Sequence, residues 1–80
     1  MNSKKRADNE RKFEDWVDTE TGDRVYRMKI NGKFGWHAIY EKIVDKDENT
    51  LKFTQFIYDE KSALKEIHEK YPLDKGHQKL

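Results

Sequence analysis

Apolar and polar residues alternate along much of this chain, which is the pattern of half-buried β-strands. The clearest example covers residues 24–30, where Tyr26, Met28 and Ile30 share one face and basic residues occupy the other. The next residues are Asn31-Gly32, a pair typical of type I′ hairpin turns. The pattern therefore predicts an antiparallel sheet with short connections.

The segment Phe34–Val44 has apolar residues on both of the faces that a strand presents. Trp36 and Tyr40 point to one side, whereas Ile39 and Ile43 point to the other. The predicted strand that follows repeats this trait near its end. A sheet with two apolar faces needs a cover on both sides, so we expect a chain terminus or another molecule to cover the second face.

Residues 59–71 show the spacing of a helix rather than that of a strand. Asp59 is suited to be its N-cap, because a carboxylate there accepts hydrogen bonds from free backbone N–H groups. Pro72 disfavours helical geometry at the preceding residue and ends the predicted helix. Its apolar face comprises Ala63, Leu64, Ile67 and Tyr71.

The elements together predict an α+β fold: an antiparallel β-meander of three or four strands, with one C-terminal helix packed on a face. Residues 1–11 lack periodicity and are predicted to be a disordered basic leader. Residues 12–80 are predicted to form a single small α+β domain. The predicted strands cover residues 13–17 (which also fit a helical turn), 24–30, 34–44 and 50–58.

Charge and composition narrow the classes of partner. Residues 1–12 carry five basic and two acidic side chains, whereas the rest of the chain carries 12 basic and 14 acidic ones. A nucleic-acid-binding domain usually has a basic stripe on its folded surface, so the acidic body disfavours such a partner. The chain has no cysteine and no apolar run near the ~20 residues that cross a bilayer. We therefore expect a cytoplasmic protein without a membrane partner.

Few residues are candidates for catalysis or metal binding. His37, Glu41, His68 and His77 could supply the acid and base that a metal-free ribonuclease needs. The histidines lack the spacing of a helical zinc motif, and the acidic turn at residues 45–49 lacks the glycine and glutamate of a calcium loop. We therefore predict no metal and no cofactor, and expect a binding protein rather than an enzyme.

The aromatic residues support two binding hypotheses. Trp36, Tyr40, Phe56 and Tyr58 could stack on the bases of single-stranded nucleic acid. The same residues could instead contact a protein, because a large exposed apolar patch usually marks an interface. We favour a protein-interaction module, homodimeric through a sheet face. The cations available to the nucleic-acid alternative are Arg24, Arg27, Lys29 and Lys52.

The C-terminal part of the chain offers one resemblance. Residues 57–72, followed by Asp74-Lys75-Gly76-His77, resemble the closing segment of small uncharacterised prokaryotic proteins, some of them similar to toxin components of toxin–antitoxin pairs. The resemblance covers about a quarter of the chain and includes no diagnostic motif. Of the Pro-x-His ending expected of such proteins, the chain has only Pro72 and His77. The resemblance implies a ribonuclease-type toxin as an alternative function.

Overall fold

A computed structural model describes residues 2–80, which form one antiparallel sheet and one N-terminal helix, α1 (Ser3–Lys12). The six strands lie side by side in chain order. Within the described residues, no helix has the length and apolar character needed to span a membrane. The strands are β1 (Asp15–Asp18), β2 (Arg24–Asn31), β3 (His37–Val44), β4 (Thr50–Tyr58), β5 (Leu64–Tyr71) and β6 (His77–Lys79).

The prediction of three or four strands with a C-terminal helix is wrong. The segment predicted as that helix forms β5, which pairs with β4 and is followed by β6. Spacing alone cannot distinguish a helix from a strand over eight residues. Strand pairing favours a strand over a helix here, because β5 forms hydrogen bonds with the backbone groups along the edge of β4 that would otherwise be unpaired.

The turn before β5 explains why Asp59 resembled a helix cap. Its carboxylate accepts backbone N–H bonds from Lys61 and Ala63, both at 2.9 Å, and these bonds hold the pKa of Asp59 below its usual value. Ser62 adopts a left-handed conformation there, with φ at 62°. The turn beginning at Asp45 is built in the same way. The hydrogen bonds expected for a helix start therefore close a hairpin instead.

The connection between β2 and β3 is not the two-residue type I′ turn that Asn31-Gly32 suggested. The Gly32 N–H donates to the Trp36 carbonyl at 2.8 Å, across a single 3₁₀ turn. The left-handed residues are Phe34, with φ at 59°, and Gly35, with φ at 80°. The hairpin is therefore longer than predicted.

Helix α1 occupies the segment for which the sequence predicts a disordered basic leader. The Asn2 side chain caps it by accepting a hydrogen bond from the Lys5 N–H at 3.0 Å. The residue that follows it, Phe13, packs on the sheet with its ring centroid 5.3 Å from that of Tyr26. Phe13, Tyr26 and Val44 form the buried core, so the core lies where the end of α1 meets β2 and β3.

The Glu48 side chain, in the turn between β3 and β4, joins α1 to the sheet. Its carboxylate accepts hydrogen bonds from Arg6 Nε at 2.9 Å, Asn9 Nδ2 at 3.0 Å and the Tyr26 hydroxyl at 2.8 Å. Burial acts to raise the pKa of Glu48, but these three bonds outweigh burial and the pKa lies below its usual value. The carboxylate is therefore ionised and fully enclosed by donors from both elements.

The sheet has two different faces. We call the side covered by α1 the helix-side face; it carries Tyr26, Tyr40 and Val44. We call the other side the open face, because none of the described elements packs across it. Leu73 and Leu80 of the C-terminal tail are 67% and 73% exposed, so the apolar side chains of this terminus do not cover a face.

We predict that Glu48→Gln lowers the free energy of unfolding by about 2 kcal/mol at pH 7, because the amide has no charge and only one acceptor oxygen for the three donors. A carboxyl whose pKa is lowered by folding stabilises the protein above its unfolded pKa and loses that effect as pH falls through its folded pKa. The difference between wild type and variant should therefore shrink below pH ~4.3. Urea unfolding at a series of pH values measures it.

Glu20→Gln is the matched control, since Glu20 is an exposed turn residue. Its free energy of unfolding should stay within about 0.5 kcal/mol of wild type. If Glu48→Gln were equally neutral at pH 7, the carboxylate would not be the anchor of α1.

Candidate functional site

The open face has a contiguous cluster of apolar and aromatic side chains at one end. The cross-strand register places Ile39 opposite Phe56, and Phe56 opposite Ile67. The adjacent row places His37 opposite Tyr58, and Tyr58 opposite Leu64. We call these six half-buried residues the open-face patch. They are His37, Ile39, Phe56, Tyr58, Leu64 and Ile67.

Ion pairs border the open-face patch on the side toward the middle of the sheet. Arg27 Nε lies 3.1 Å from Glu41 Oε2, and Lys75 Nζ lies 3.2 Å from Glu69 Oε2. Hydrogen bonding from Lys75, aided by nearby Lys52, holds the pKa of Glu69 below its usual value. The patch therefore has a polar border that contains both acidic and basic side chains.

Phe34 lies in the hairpin at the same end of the sheet as the patch. Its side chain is 90% exposed and its φ is 59°. A bulky residue rarely adopts this conformation, which typically costs about 1 kcal/mol or more. The fold buries little of Phe34 in return, so this residue presents an exposed aromatic ring at the same end of the sheet as the patch.

The structure divides the four predicted binding residues between the two faces. Phe56 and Tyr58 belong to the open-face patch. Tyr40 lies on the helix-side face, where its hydroxyl accepts a hydrogen bond from Gln55 Nε2 at 2.9 Å. Trp36 is half-buried at the end of the hairpin that precedes β3. They therefore do not form one continuous stacking surface.

Three of the four cations predicted for nucleic-acid binding are engaged by carboxylates. Arg24 is buried between Asp18, at 2.6 Å, and Glu10, at 2.7 Å, and these bonds raise its pKa. Arg27 pairs with Glu41, and Lys52 lies 3.6 Å from Glu69. Arg24 and Arg27 are therefore already neutralised within the fold, and Lys52 shares one carboxylate with Lys75.

The four candidate catalytic residues fall into two groups. His37 stacks on Tyr58, with ring centroids 5.0 Å apart and planes 8° from parallel. Glu41 is bound by Arg27 instead of by a histidine. These two residues therefore form no acid–base pair.

His68 and His77 do come together, directly opposite each other on β5 and β6. Their ring centroids are 4.4 Å apart. His68 Nε2 lies 2.6 Å from Asp74 Oδ1, and this bond lowers the pKa of Asp74. His77 Nδ1 lies 3.5 Å from Glu66 Oε1. The buried Nδ1 of His68 has no hydrogen-bond partner within the described structure. This arrangement can orient two imidazoles for proton transfer.

Sequence reasoning missed several residues of the open-face patch. Leu64 and Ile67 were assigned to the face of a helix, and their place in the patch follows only from the pairing of β4 with β5. Ile39 was detectable, since strand alternation put it on the face opposite to Trp36 and Tyr40. The exposure of Phe34 has no sequence signal, because an aromatic residue near a turn is equally compatible with burial.

Comparison with known proteins adds no identification: no family model, curated protein or solved structure matches this chain. Across residues 2–80, no group of three or more histidine, cysteine, aspartate or glutamate side chains is arranged to hold a metal ion. The surfaces described above are therefore the observations that bear on function.

Proposed function

We propose that this protein is a small cytosolic protein-interaction module that binds through the open-face patch, and that its partner is a second copy of the chain. The observation that supports this function is the row Ile39–Phe56–Ile67, three apolar side chains in register across adjacent strands on an uncovered face. Apolar area of this kind favours association, because contact removes it from water.

The charge around the patch supports self-association. In a two-fold symmetric dimer each patch meets its own copy, so any net charge on the surface meets the same charge. In the border, Glu41 is paired with Arg27 and Glu69 with both Lys75 and Lys52, and the whole chain has a formal net charge of only +1. Two copies can therefore pack sheet on sheet without strong electrostatic repulsion.

Phe34 and the stacked pair of His37 and Tyr58 suit the edge of such an interface. Aromatic side chains are enriched among the residues that contribute most to binding energy. The exposed ring of Phe34 can reach beyond the sheet and contact the second copy. In this proposal, its unusual backbone conformation positions an interface residue.

The histidine pair favours a second candidate function, acid–base cleavage of single-stranded RNA. His77 is the more accessible imidazole, with 46% of its side chain exposed. Glu66 and Asp74 lie beside the two rings and can orient them, as paired carboxylates do in acid–base catalysis. The resemblance of this segment to toxin components supports the same candidate function. We rank this function second, because Arg24, Arg27 and Lys52, three of the cations expected to bind a phosphate backbone, already contact carboxylates.

We predict that the wild-type chain dimerises and that Phe56→Thr raises the dimer dissociation constant about tenfold or more, since a central aromatic contact is lost. Threonine preserves strand propensity at this position. Phe34→Ser, at an exposed loop position, should weaken the dimer without affecting folding. Sedimentation equilibrium over a range of concentrations measures both.

Ile30→Thr is the control for these variants, because Ile30 is 49% exposed at the end of β2 on the opposite face. Its dissociation constant should match that of wild type. A wild-type chain that remains monomeric at ~1 mM, where even weak complexes assemble, contradicts the proposal.

For the second candidate function, we predict that the purified protein cleaves single-stranded RNA and that His77→Ala lowers the rate about 100-fold, the typical contribution of a general acid or base. His37→Ala should retain the wild-type rate, since His37 lies in the open-face patch. Gel analysis of a labelled oligoribonucleotide measures the rates. Absence of cleavage by the folded wild type, or an equal loss in both variants, contradicts this function.

A further inference from the structure

A groove on the helix-side face is separate from the open-face patch. It lies between α1 and the sheet and has a volume of about 620 Å³, within the range of small-molecule sites. Lys5 and Asn9 of α1 line one side. Lys42 of β3 and Phe53 of β4 line the sheet side, and Tyr71 of β5 lines the far end.

Lys42 is partly buried in this groove, and its ammonium group contacts a neutral side chain instead of a carboxylate. Its side chain is on the covered face, and its ammonium group donates to the neutral Asn9 Oδ1 at 3.0 Å. Burial, followed by the charges of Lys12 and Lys5, lowers the pKa of Lys42, although the charge of Glu48 opposes this effect. In residues 2–80, no carboxylate lies within ion-pair distance of Lys42 or Lys5. A partly buried ammonium group without an anionic partner is unfavourable.

The acidic residues that line the groove, Glu48 and Asp8, are not ion-pair partners of Lys42. Glu48 already accepts hydrogen bonds from three donors in the helix–sheet anchor. Asp8 also lines the groove, but it is paired with Arg11. An ammonium group has three donors, and Lys42 uses one of them on Asn9. The groove therefore has hydrogen-bond donors to offer an added anion.

The sheet side of the groove adds an aromatic surface next to these cations. Lys42 lies directly opposite Phe53 on the neighbouring strand, and Phe53 lies directly opposite Tyr71. Beside the groove, the Lys70 ammonium group lies 5.2 Å from the centroid of the Tyr40 ring and 5.9 Å from that of Phe53. Ammonium groups and aromatic rings are therefore neighbours on this face of the sheet.

We propose that this groove binds a small organic anion in which a planar ring is joined to a phosphate group, as in a nucleoside monophosphate. The phosphate contacts Lys42 and Lys5 at the helix side, where it replaces the missing anionic partner. The planar ring packs against Phe53 toward Tyr71. This binding site is on the opposite face from the proposed dimer interface, so the two proposals can fail independently.

The test is a titration of the ¹⁵N-labelled full chain with adenosine 5′-monophosphate, monitored by the backbone amide resonances. We expect saturable shifts centred on Asn9, Lys42 and Phe53. Lys42→Gln and Lys5→Gln should each raise the dissociation constant about five- to tenfold, because each removes a charge-assisted contact. Lys5 is exposed on α1, so its variant keeps the test valid if Lys42→Gln disturbs the fold.

Lys29→Gln is the matched control, since it removes one positive charge from an exposed position on the open face. Its dissociation constant should stay within about twofold of wild type. Adenosine and inorganic phosphate, titrated separately, should each bind about tenfold more weakly than the monophosphate. The proposal is overturned if no saturable shifts appear in the groove, or if Lys29→Gln weakens binding as much as Lys42→Gln does.

Discussion

The buried carboxylate of Glu48 is the interaction on which the arrangement of this molecule depends. It accepts hydrogen bonds from Arg6 and Asn9 of α1 and from Tyr26 of β2. These bonds attach a short, highly charged helix to a sheet whose buried core is small. An isolated helix of ten residues is marginal in water, so α1 depends on this attachment. Because the attachment is at one corner, the helix covers part of one face and leaves the other face open.

That asymmetry explains why the two candidate surfaces differ in chemistry. The helix-side face combines α1, which is rich in lysine and arginine, with aromatic rings, and this combination produces a groove in which Lys42 and Lys5 have no ion-pair partner among residues 2–80. The open face has no covering layer, so its strand alternation remains visible as rows of apolar and ion-paired side chains. The proposed dimer contact lies on the open face, and the proposed anion site lies in the groove between α1 and the sheet. Both follow from the position of a single helix.

The sequence predicts the local features of this fold better than its long-range ones. Strand alternation identified β4 with its observed bounds and correctly placed Tyr26 on the covered face. It failed for β5, because a strand of eight residues takes its identity from pairing with β4 rather than from its own spacing. It missed α1 because that helix buries Asn9 through polar contacts instead of an apolar stripe. The role of Glu48 as the acceptor for three donors was also unpredictable, because in the sequence it is one of several charged residues in a polar turn.

The most direct test of this account is a pH titration of the Glu48 side-chain carboxyl carbon by NMR in the wild-type protein. If an ionised Glu48 attaches α1 to the sheet, the midpoint lies below the usual glutamate value of about 4.3, and the Asn9 side-chain amide resonances change at the same pH. That result would show an ionised carboxylate holding the helix to the sheet. A midpoint at or above the usual value, without a response from Asn9, would contradict the account.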